Sequence, residues 1–344
     1  MTAAAPSEQR GAESSRKREH VPRRVTIGIL ALQGAFAEHS KVLQRLGADV
    51  REVRLPEEFE GLDGIVLPGG ESTAMALIGE RWGVFPRLKR WVSEGRPVWG
   101  TCAGMILLSD SALMTKQGGQ SLVGGLNVEI CRNYFGAQKS SFEVPLDTSK
   151  LGLEPTAKNG GCETAKGLGP YPAVFIRAPA VLEAGPGIDI LCKVRARPCT
   201  KAVTMMRAQF KEQEGQRASG EQVGSADPSD EDDGPASKRR RLMSFFVEPS
   251  SSSSDYAEGS ASASGENDLD APEVIVALRK GNIVATAFHP ELTSDSRWHE
   301  YFVGMVRQAV EPVKNSTVVT AAAAAVAATQ AAGVEASTVE PVAA

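Results

Sequence analysis

The sequence has no excess of positive charge, few cysteines and no long run of strongly apolar residues. Its 38 Lys and Arg residues are outnumbered by 42 Asp and Glu residues, which argues against nucleic acid as a partner. The five cysteines are odd in number and form no CxxC pair, so they indicate neither a disulfide framework nor a metal site. This usage is typical of a reducing compartment, and we expect a cytoplasmic protein.

Membrane and export signals are also missing. The Ala-rich stretch near 317–334 comes closest to a membrane-spanning length, but it is mostly alanine and contains Gln330. The first twenty residues lack the apolar core of a secretory signal, and Glu8, Glu13 and Glu19 argue against a transit peptide. We therefore expect no membrane partner.

Composition divides the chain into one folded domain and three segments of low complexity. Residues 1–23 are polar and are expected to form a disordered arm. Residues 211–270 are rich in Ser, Gly and acidic residues and cannot bury enough apolar surface to offset the entropy of ordering. The tail 316–344 is Ala-rich. The prediction is a single domain over 24–315, interrupted by a disordered insertion at 211–270.

Apolar runs and amphipathic segments alternate in the first part of this domain. Val25–Leu32 is apolar on both faces, as expected of a central parallel strand, and a helix is predicted from about Ala35 to Leu46. Strands at Asp49–Leu55 and Gly64–Leu67 follow, with helices near Ser72 and over Pro86–Glu94. This alternation predicts a three-layer α/β domain with a mostly parallel central sheet and helices on both faces.

The later part of the domain is richer in strands. A hairpin is predicted to turn at Lys280-Gly281-Asn282, and a last helix is predicted over about Ser296–Val310. The predicted strands here are Gly124–Arg132, Ser141–Pro145, Val174–Ala178, Ile188–Val194, Val274–Leu278 and Ile283–Phe288.

Gly-Thr-Cys-Ala-Gly at 100–104 is the motif with the most chemical content. It follows the apolar run Pro97–Trp99 and precedes a predicted helix over Met105–Ser109. A strand, a turn of small residues and a helix in this order predict a nucleophile elbow that exposes Cys102 at the carboxyl edge of the sheet. A lone cysteine is more often a small buried hydrophobe, but the elbow favours acyl transfer through a thioester.

His289-Pro290-Glu291 supplies the groups that such a nucleophile needs. The triplet follows an apolar strand, and residues two apart in an extended segment point to the same side, so His289 and Glu291 can interact. A cysteine nucleophile needs a base, and the base needs an acceptor that orients it. Cys102, His289 and Glu291 match these three roles.

Pro68-Gly69-Gly70-Glu71-Ser72 follows another predicted strand. Paired glycines allow the backbone to approach a ligand closely and to present its N–H groups. A tight turn with Ser72 as the helix N-cap explains the same residues, and both interpretations can hold together.

Taken together, the GTCAG, HPE and PGG motifs resemble those of class I, or triad, glutamine amidotransferases. More narrowly, several strings between about 25 and 305 look like the glutaminase subunit of pyridoxal 5′-phosphate synthase. These are Ala31-Leu-Gln-Gly-Ala35 with Glu38-His39, PGGES at 68–72, Arg132-Asn133 followed by Phe135-Gly136, Ser141–Glu143, Phe175-Ile-Arg-Ala-Pro179 and Phe288-His-Pro-Glu-Leu-Thr293.

The resemblance implies a role for each matching residue and requires neither a cofactor nor a metal. Cys102 would be the nucleophile, His289 the general base and acid, and Glu291 the carboxylate that orients it. The N–H groups of Gly70 and Ala103 would form the oxyanion hole. L-glutamine would be held by Gly70, Glu71, Ser72, Arg132, Ile176 and Arg177, of which the two arginines suit its carboxylate.

The implied partner is the synthase subunit, in a hetero-oligomer that makes pyridoxal 5′-phosphate from a pentose phosphate, a triose phosphate and ammonia. Ala137 departs from the family pattern, which usually has an arginine there. Two alternatives stay open: a glutaminase subunit of the histidine or anthranilate pathway, and a non-catalytic scaffold or regulator of a synthase. The basic run Lys238–Arg241 also leaves nuclear localisation open.

Overall fold

A computed structural model describes residues 24–113, 119–136, 141–153, 169–208 and 271–311. Several predictions lie outside these residues. They are the arm 1–23, the insertion 211–270 with its basic run at 238–241, the tail 316–344 and the departure at Ala137.

Five parallel strands form one half of the main sheet, called here the parallel half. They are β1 (Thr26–Leu30), β2 (Asp49–Val53), β3 (Gly64–Leu67), β4 (Val98–Thr101) and β12 (Ile283–Thr286), in the spatial order β2-β1-β3-β4-β12. Every residue of β3, β4 and β12 is buried, as expected of strands covered on both faces. The parallel alternation predicted from the sequence is therefore confirmed.

The other half of the sheet, called here the mixed half, contains antiparallel pairs. The hairpin turns at Gly281, which has a φ of 55°, and so places β11 (Glu273–Lys280) antiparallel to β12. Strands β9 (Ala180–Ala184), β6 (Val128–Cys131) and β5 (Ser111–Leu113) continue the sheet, and β10 (Asp189–Arg195) also pairs with β11. A separate two-stranded sheet contains β7 (Phe142–Leu146) and β8 (Tyr171–Phe175).

Helices cover both faces of the sheet. Consecutive residues of a strand point to opposite faces. Trp99 of β4 packs against Phe302 with 5.6 Å between ring centroids, whereas its neighbour Gly100 lies against Gly104 and Leu108. The helices are α1 (Phe36–Arg45), α2 (Ser72–Arg81), α3 (Val84–Ser93), α4 (Ala103–Leu108), α5 (200–208) and α6 (Arg297–Val310). In the described part of the chain no helix is long and apolar enough to cross a membrane.

Some elements differ from the predictions. The strands β5 and β9 and the helix α5 were not predicted, because they are short and lack a clear apolar period. Helix α3 begins two residues earlier than expected, where Gly83 with a φ of 72° starts a new turn directly after α2. Helix α4 begins at Ala103 rather than Met105, immediately after the elbow.

Candidate active site

Cys102 lies at the sharp turn between β4 and α4. Its φ of 46° and ψ of −99° are unusual for a residue other than glycine, and such strain is typical of a nucleophile elbow. The turn is held because Cys102 N–H donates to the carbonyl oxygen of Thr286 on β12, at 2.8 Å. Gly104 packs directly on the backbone of Leu67, where a larger residue would not fit. The elbow has the geometry that the sequence predicts.

His289 and Glu291 lie beside this elbow because β12 pairs with β4. Thr286 of β12 is in register with Thr101 of β4, so the residues after both strands meet at one edge. His289 Nδ1 is 2.7 Å from Glu291 Oε1, and the imidazole also contacts the side chain of Cys102. The three side chains form one connected series, as predicted.

Burial and charge act in opposite directions on His289. Burial alone would lower its pKa, but the hydrogen bonds and negative charges of Cys102 and Glu291 raise the pKa to about 10. For Glu291, burial raises the pKa, but His39 and His289 hold the pKa below its usual value. The site therefore favours a protonated His289 beside an ionised Glu291, and a cationic imidazole next to a cysteine is the arrangement that activates cysteine nucleophiles.

A cavity of about 360 Å³ opens in front of Cys102. Among the predicted site residues only Ala103, which is buried, does not line the cavity. The backbone N–H of Ala103 lies in the first turn of α4, where an N–H has no hydrogen-bond partner within the helix. The predicted residues that do line the cavity are Gly70, Glu71, Ser72, Cys102, Arg132, Ile176, Arg177, His289 and Glu291.

The prediction of Ser72 as the helix N-cap is wrong. Glu71 caps α2, because its carboxylate accepts hydrogen bonds from the N–H groups of Thr73 at 3.1 Å and Ala74 at 2.7 Å. Ser72 is buried instead, and its Oγ donates to Gln120 Oε1 at 3.1 Å. Both residues still lie on the cavity wall.

Arg132 is a largely buried cation on the cavity wall. Its Nη2 lies 3.4 Å from Glu71 Oε1 and 3.3 Å from Thr73 Oγ1, while its buried Nε has no hydrogen-bond partner among the described atoms. Arg177, at a φ of 50°, lines the same cavity. The carbonyl oxygen of Ile176 lies 4.0 Å from Cys102 Sγ. This wall can receive the carboxylate of a small ligand.

Five polar or small residues of the cavity were not predicted as site residues, and two of them are Ala35 and Gly69. Gln33 Oε1 accepts a hydrogen bond from Glu71 N–H at 2.7 Å, and Gly34 and Asn133 also line the wall. The signal that could have found Gln33 is its position just after β1, because ligands of open α/β sheets bind at the carboxyl ends of the strands. No described group of three or more His, Cys, Asp or Glu side chains is arranged to hold a metal ion.

A cysteine elbow on an open α/β sheet, aligned with a histidine and a glutamate and facing an arginine-lined cavity, defines the class of triad glutamine amidotransferases. A solved structure described as a glutamine amidotransferase supports this class. It has 28% sequence identity and a TM-score of 0.50, and it matches 81% of this chain and 98% of its own.

The chain belongs to the SNO glutamine amidotransferase family, whose model matches residues 29–209. One similar protein is the probable pyridoxal 5′-phosphate synthase subunit PDX2 of Arabidopsis thaliana, 36% identical over 85% of this chain and 90% of that protein. Another is the pyridoxal 5′-phosphate synthase subunit PdxT of Arthrobacter sp. (strain FB24), 34% identical over 82% of this chain and 92% of that protein.

Proposed function

We propose that this protein hydrolyses L-glutamine to glutamate and ammonia and delivers the ammonia to a synthase subunit that makes pyridoxal 5′-phosphate. The observation that carries the proposal is the connected series Cys102, His289 and Glu291, facing a cavity that Arg132 also lines. A non-catalytic scaffold has no use for a strained cysteine aligned with both other groups.

The first half of the reaction forms a thioester. Cys102 Sγ attacks the carboxamide carbon of glutamine, and the N–H groups of Gly70 and Ala103 stabilise the oxyanion of the tetrahedral intermediate. His289 donates its proton to the nitrogen as the C–N bond breaks, and ammonia leaves. Because the pKa of His289 is about 10, the imidazole carries this proton at neutral pH.

The second half releases glutamate. The charge and hydrogen bond of Cys102 contribute to the raised pKa of His289, and thioester formation removes both. The pKa of His289 therefore falls in the intermediate, and the imidazole becomes a base that takes a proton from water. The resulting hydroxide attacks the thioester carbon, glutamate leaves, and the thiolate and imidazolium are restored.

Substrate binding uses the part of the cavity that is lined by Arg132, Arg177 and Glu71. Arg132 has a buried Nε with no hydrogen-bond partner among the described atoms, and Arg177 lies nearby, so the α-carboxylate of glutamine binds there. Glu71, which already caps α2, lies next to Arg132 and can receive the ammonium group. Ser72 and the carbonyl oxygen of Ile176 complete the pocket.

The names of the relatives support the synthase partner. The Arabidopsis and Arthrobacter proteins are named as pyridoxal 5′-phosphate synthase subunits, and the match covers at least 90% of each. This favours a hetero-oligomer of that enzyme over a synthase of the histidine or anthranilate pathway. Transfer of ammonia inside such a complex would keep it from solvent, and hydrolysis is expected to depend on the partner.

The test is glutamate release by the full chain, measured with and without a pyridoxal 5′-phosphate synthase subunit. The wild type should hydrolyse glutamine in the presence of that subunit, and Cys102→Ala should lower kcat by a factor on the order of 10⁶. Cys192→Ala is the matched control, since Cys192 is also buried but does not line the cavity. Hydrolysis by Cys102→Ala at the wild-type rate would overturn the mechanism.

A further inference from the structure

Behind Glu291 lies a closed group of polar side chains that the mechanism above does not use. His39 of α1 and His299 of α6 have no exposed surface, and His39 Nδ1 is 3.0 Å from His299 Nε2. His39 Nε2 lies 3.3 Å from Glu291 Oε2 and 3.3 Å from Thr101 Oγ1. The indole of Trp99 stands edge-on to both imidazoles, with 5.5 and 5.0 Å between ring centroids. Glu291 therefore has a histidine beside each of its two oxygens.

The carboxylate determines which nitrogen of each ring carries hydrogen. Glu291 can only accept, so His39 is favoured with its hydrogen on Nε2, and His39 Nδ1 then accepts from His299 Nε2–H. The remaining nitrogen, His299 Nδ1, is left as a bare acceptor, and this buried atom has no hydrogen-bond partner among the described residues. The opposite tautomers would leave a buried N–H unpaired there and point a lone pair at the carboxylate, which costs more free energy.

We propose that His39, supported by His299, is a positioning residue that holds Glu291 in the orientation needed to align His289 with Cys102. Glu291 Oε2 is buried and accepts no aligned hydrogen bond from the described residues, so the position of this oxygen depends on its 3.3 Å contact with His39 Nε2. His39 comes from a helix that packs on the Pro290–Leu292 turn, which ties that turn to the first third of the chain. This role deepens the proposed hydrolysis and rests on it.

The surroundings keep both supporting rings neutral near pH 7. The groups that face His39 are Glu291, His289, Glu38 and His299. Burial lowers the pKa of His39, Glu291 and Glu38 raise it, and His289 lowers it, with a net decrease from 6.5. Burial, His39 and Arg45 lower the pKa of His299 well below 6.5. A neutral His39 can direct its Nε2–H toward Glu291 without competing with His289 for the charge of the carboxylate.

The kinetic test compares His39→Phe, which removes both ring nitrogens, with His39→Gln, which keeps a side-chain donor. Glutamate release is measured with the synthase subunit present. In His39→Phe, kcat should fall about 10- to 100-fold with little change in KM for glutamine. The acid limb of the pH profile should move to higher pH, because losing His39 raises the pKa of Glu291. His39→Gln should keep most of the wild-type kcat, and the acid limb of its pH profile should lie at the wild-type pH.

The control for helix packing is Val42→Ala, which shortens another buried side chain of α1 and should keep the wild-type pH profile. The role of His39 is overturned if His39→Phe retains wild-type kcat and pH profile, or if Val42→Ala reproduces its kinetics. A wild type that shows no hydrolysis with the synthase subunit overturns the proposed function instead.

A spectroscopic readout checks the arrangement in the free protein. The chain has only four histidines, so ¹⁵N-histidine NMR can resolve each ring. We expect His39 and His299 to be neutral and protonated on Nε2 near pH 7. His39 protonated on Nδ1 would overturn the proposal, since its Nε2 would then have no hydrogen to direct at Glu291.

Discussion

The parallel half and the mixed half of the sheet contribute different kinds of residue to one cavity. In the parallel half, Cys102 follows β4, His289 follows β12, and the Gly69-Gly70 pair follows β3. In the mixed half, Arg132 follows β6, and Arg177 lies in the loop that enters β9. In the first set Cys102, His289 and Gly69 are buried and closely packed, and Gly70 is exposed, whereas the second set carries positive charge on the cavity wall.

The comparison shows that one pocket can combine a catalytic centre that needs precise positions with a binding wall that needs mainly charge. Strands buried on both faces fix their carboxyl ends precisely, and a nucleophile needs such precision. Binding a carboxylate needs mainly a correctly placed charge and tolerates more freedom. We therefore expect substitutions beside the sulfur in the parallel half to change kcat and substitutions of the arginines in the mixed half to change KM.

Among the substitutions that compare the two halves, Glu291→Gln is expected to have the largest effect, because it keeps the shape of the side chain and removes its charge. By analogy with other triads, kcat should fall by about 10⁴-fold, since the imidazole loses its orienting acceptor. The high-pH limb of kcat/KM should also move down from about 10, because Glu291 helps to raise the pKa of His289. Activity measured across pH checks both outcomes. A rise in KM with unchanged kcat would contradict the expectation that the parallel half controls kcat.

Gly69→Ala tests how closely the parallel half is packed around the sulfur. A methyl group at Gly69 would collide with the imidazole of His289 and lie 3.5 Å from Cys102 Cβ. We expect kcat to fall by about 100-fold from this displacement, with KM nearly unchanged. Gly304→Ala is the matched control, since a methyl group at Gly304 meets nothing within 4 Å and should leave kcat unaltered.

Arg132→Ala tests the mixed half. Loss of a charged hydrogen-bond donor should raise KM for glutamine by about 10- to 100-fold, whereas kcat should change little. The KM of Arg132→Lys should lie between those of the wild type and Arg132→Ala, because an ammonium group retains the charge but cannot form the bidentate contact of a guanidinium. A lower kcat at unchanged KM in Arg132→Ala would contradict the proposed binding role.

The smallest expected effect is on stability, from the residue that caps α2 after strand β3. Glu71→Ala removes the carboxylate that caps α2, so the free energy of unfolding should fall by about 1 kcal/mol. The melting temperature of the protein should drop by about 2–4 °C. Glu71→Gln retains a side-chain acceptor, so its free energy of unfolding should fall by less. Equal melting temperatures for the wild type and Glu71→Ala would show that the cap is dispensable.

Much of the parallel half can be predicted because its signals are local. Gly64–Leu67 is an apolar run bounded by turn residues, and β3 has these same bounds. The elbow at Cys102 and the His289–Glu291 pair follow apolar strands, so their positions at the sheet edge are also readable. The short β9 is harder to find, because Ala180–Ala184 has neither length nor alternation, and its pairing with β11 and β6 decides its conformation.

The site is predicted less completely where contacts are distant in sequence. Glu71 rather than Ser72 caps α2, because the buried Ser72 hydroxyl bonds to Gln120 from another loop. His39 is one polar residue on an otherwise ordinary amphipathic helix, and nothing near it in sequence indicates Glu291. Its contact with His299 joins residues 260 positions apart.

The sequence alone determined the order of strands and helices in the parallel half, the elbow at Cys102 and the pairing of His289 with Glu291, because each depends on residues within a few positions. Only the tertiary structure decided that β12 lies beside β4, that Arg132 lines the same cavity as Cys102, and that His39 lies against Glu291. These contacts arise when apolar strands far apart in the chain bury each other, and local pattern does not specify which of them become neighbours.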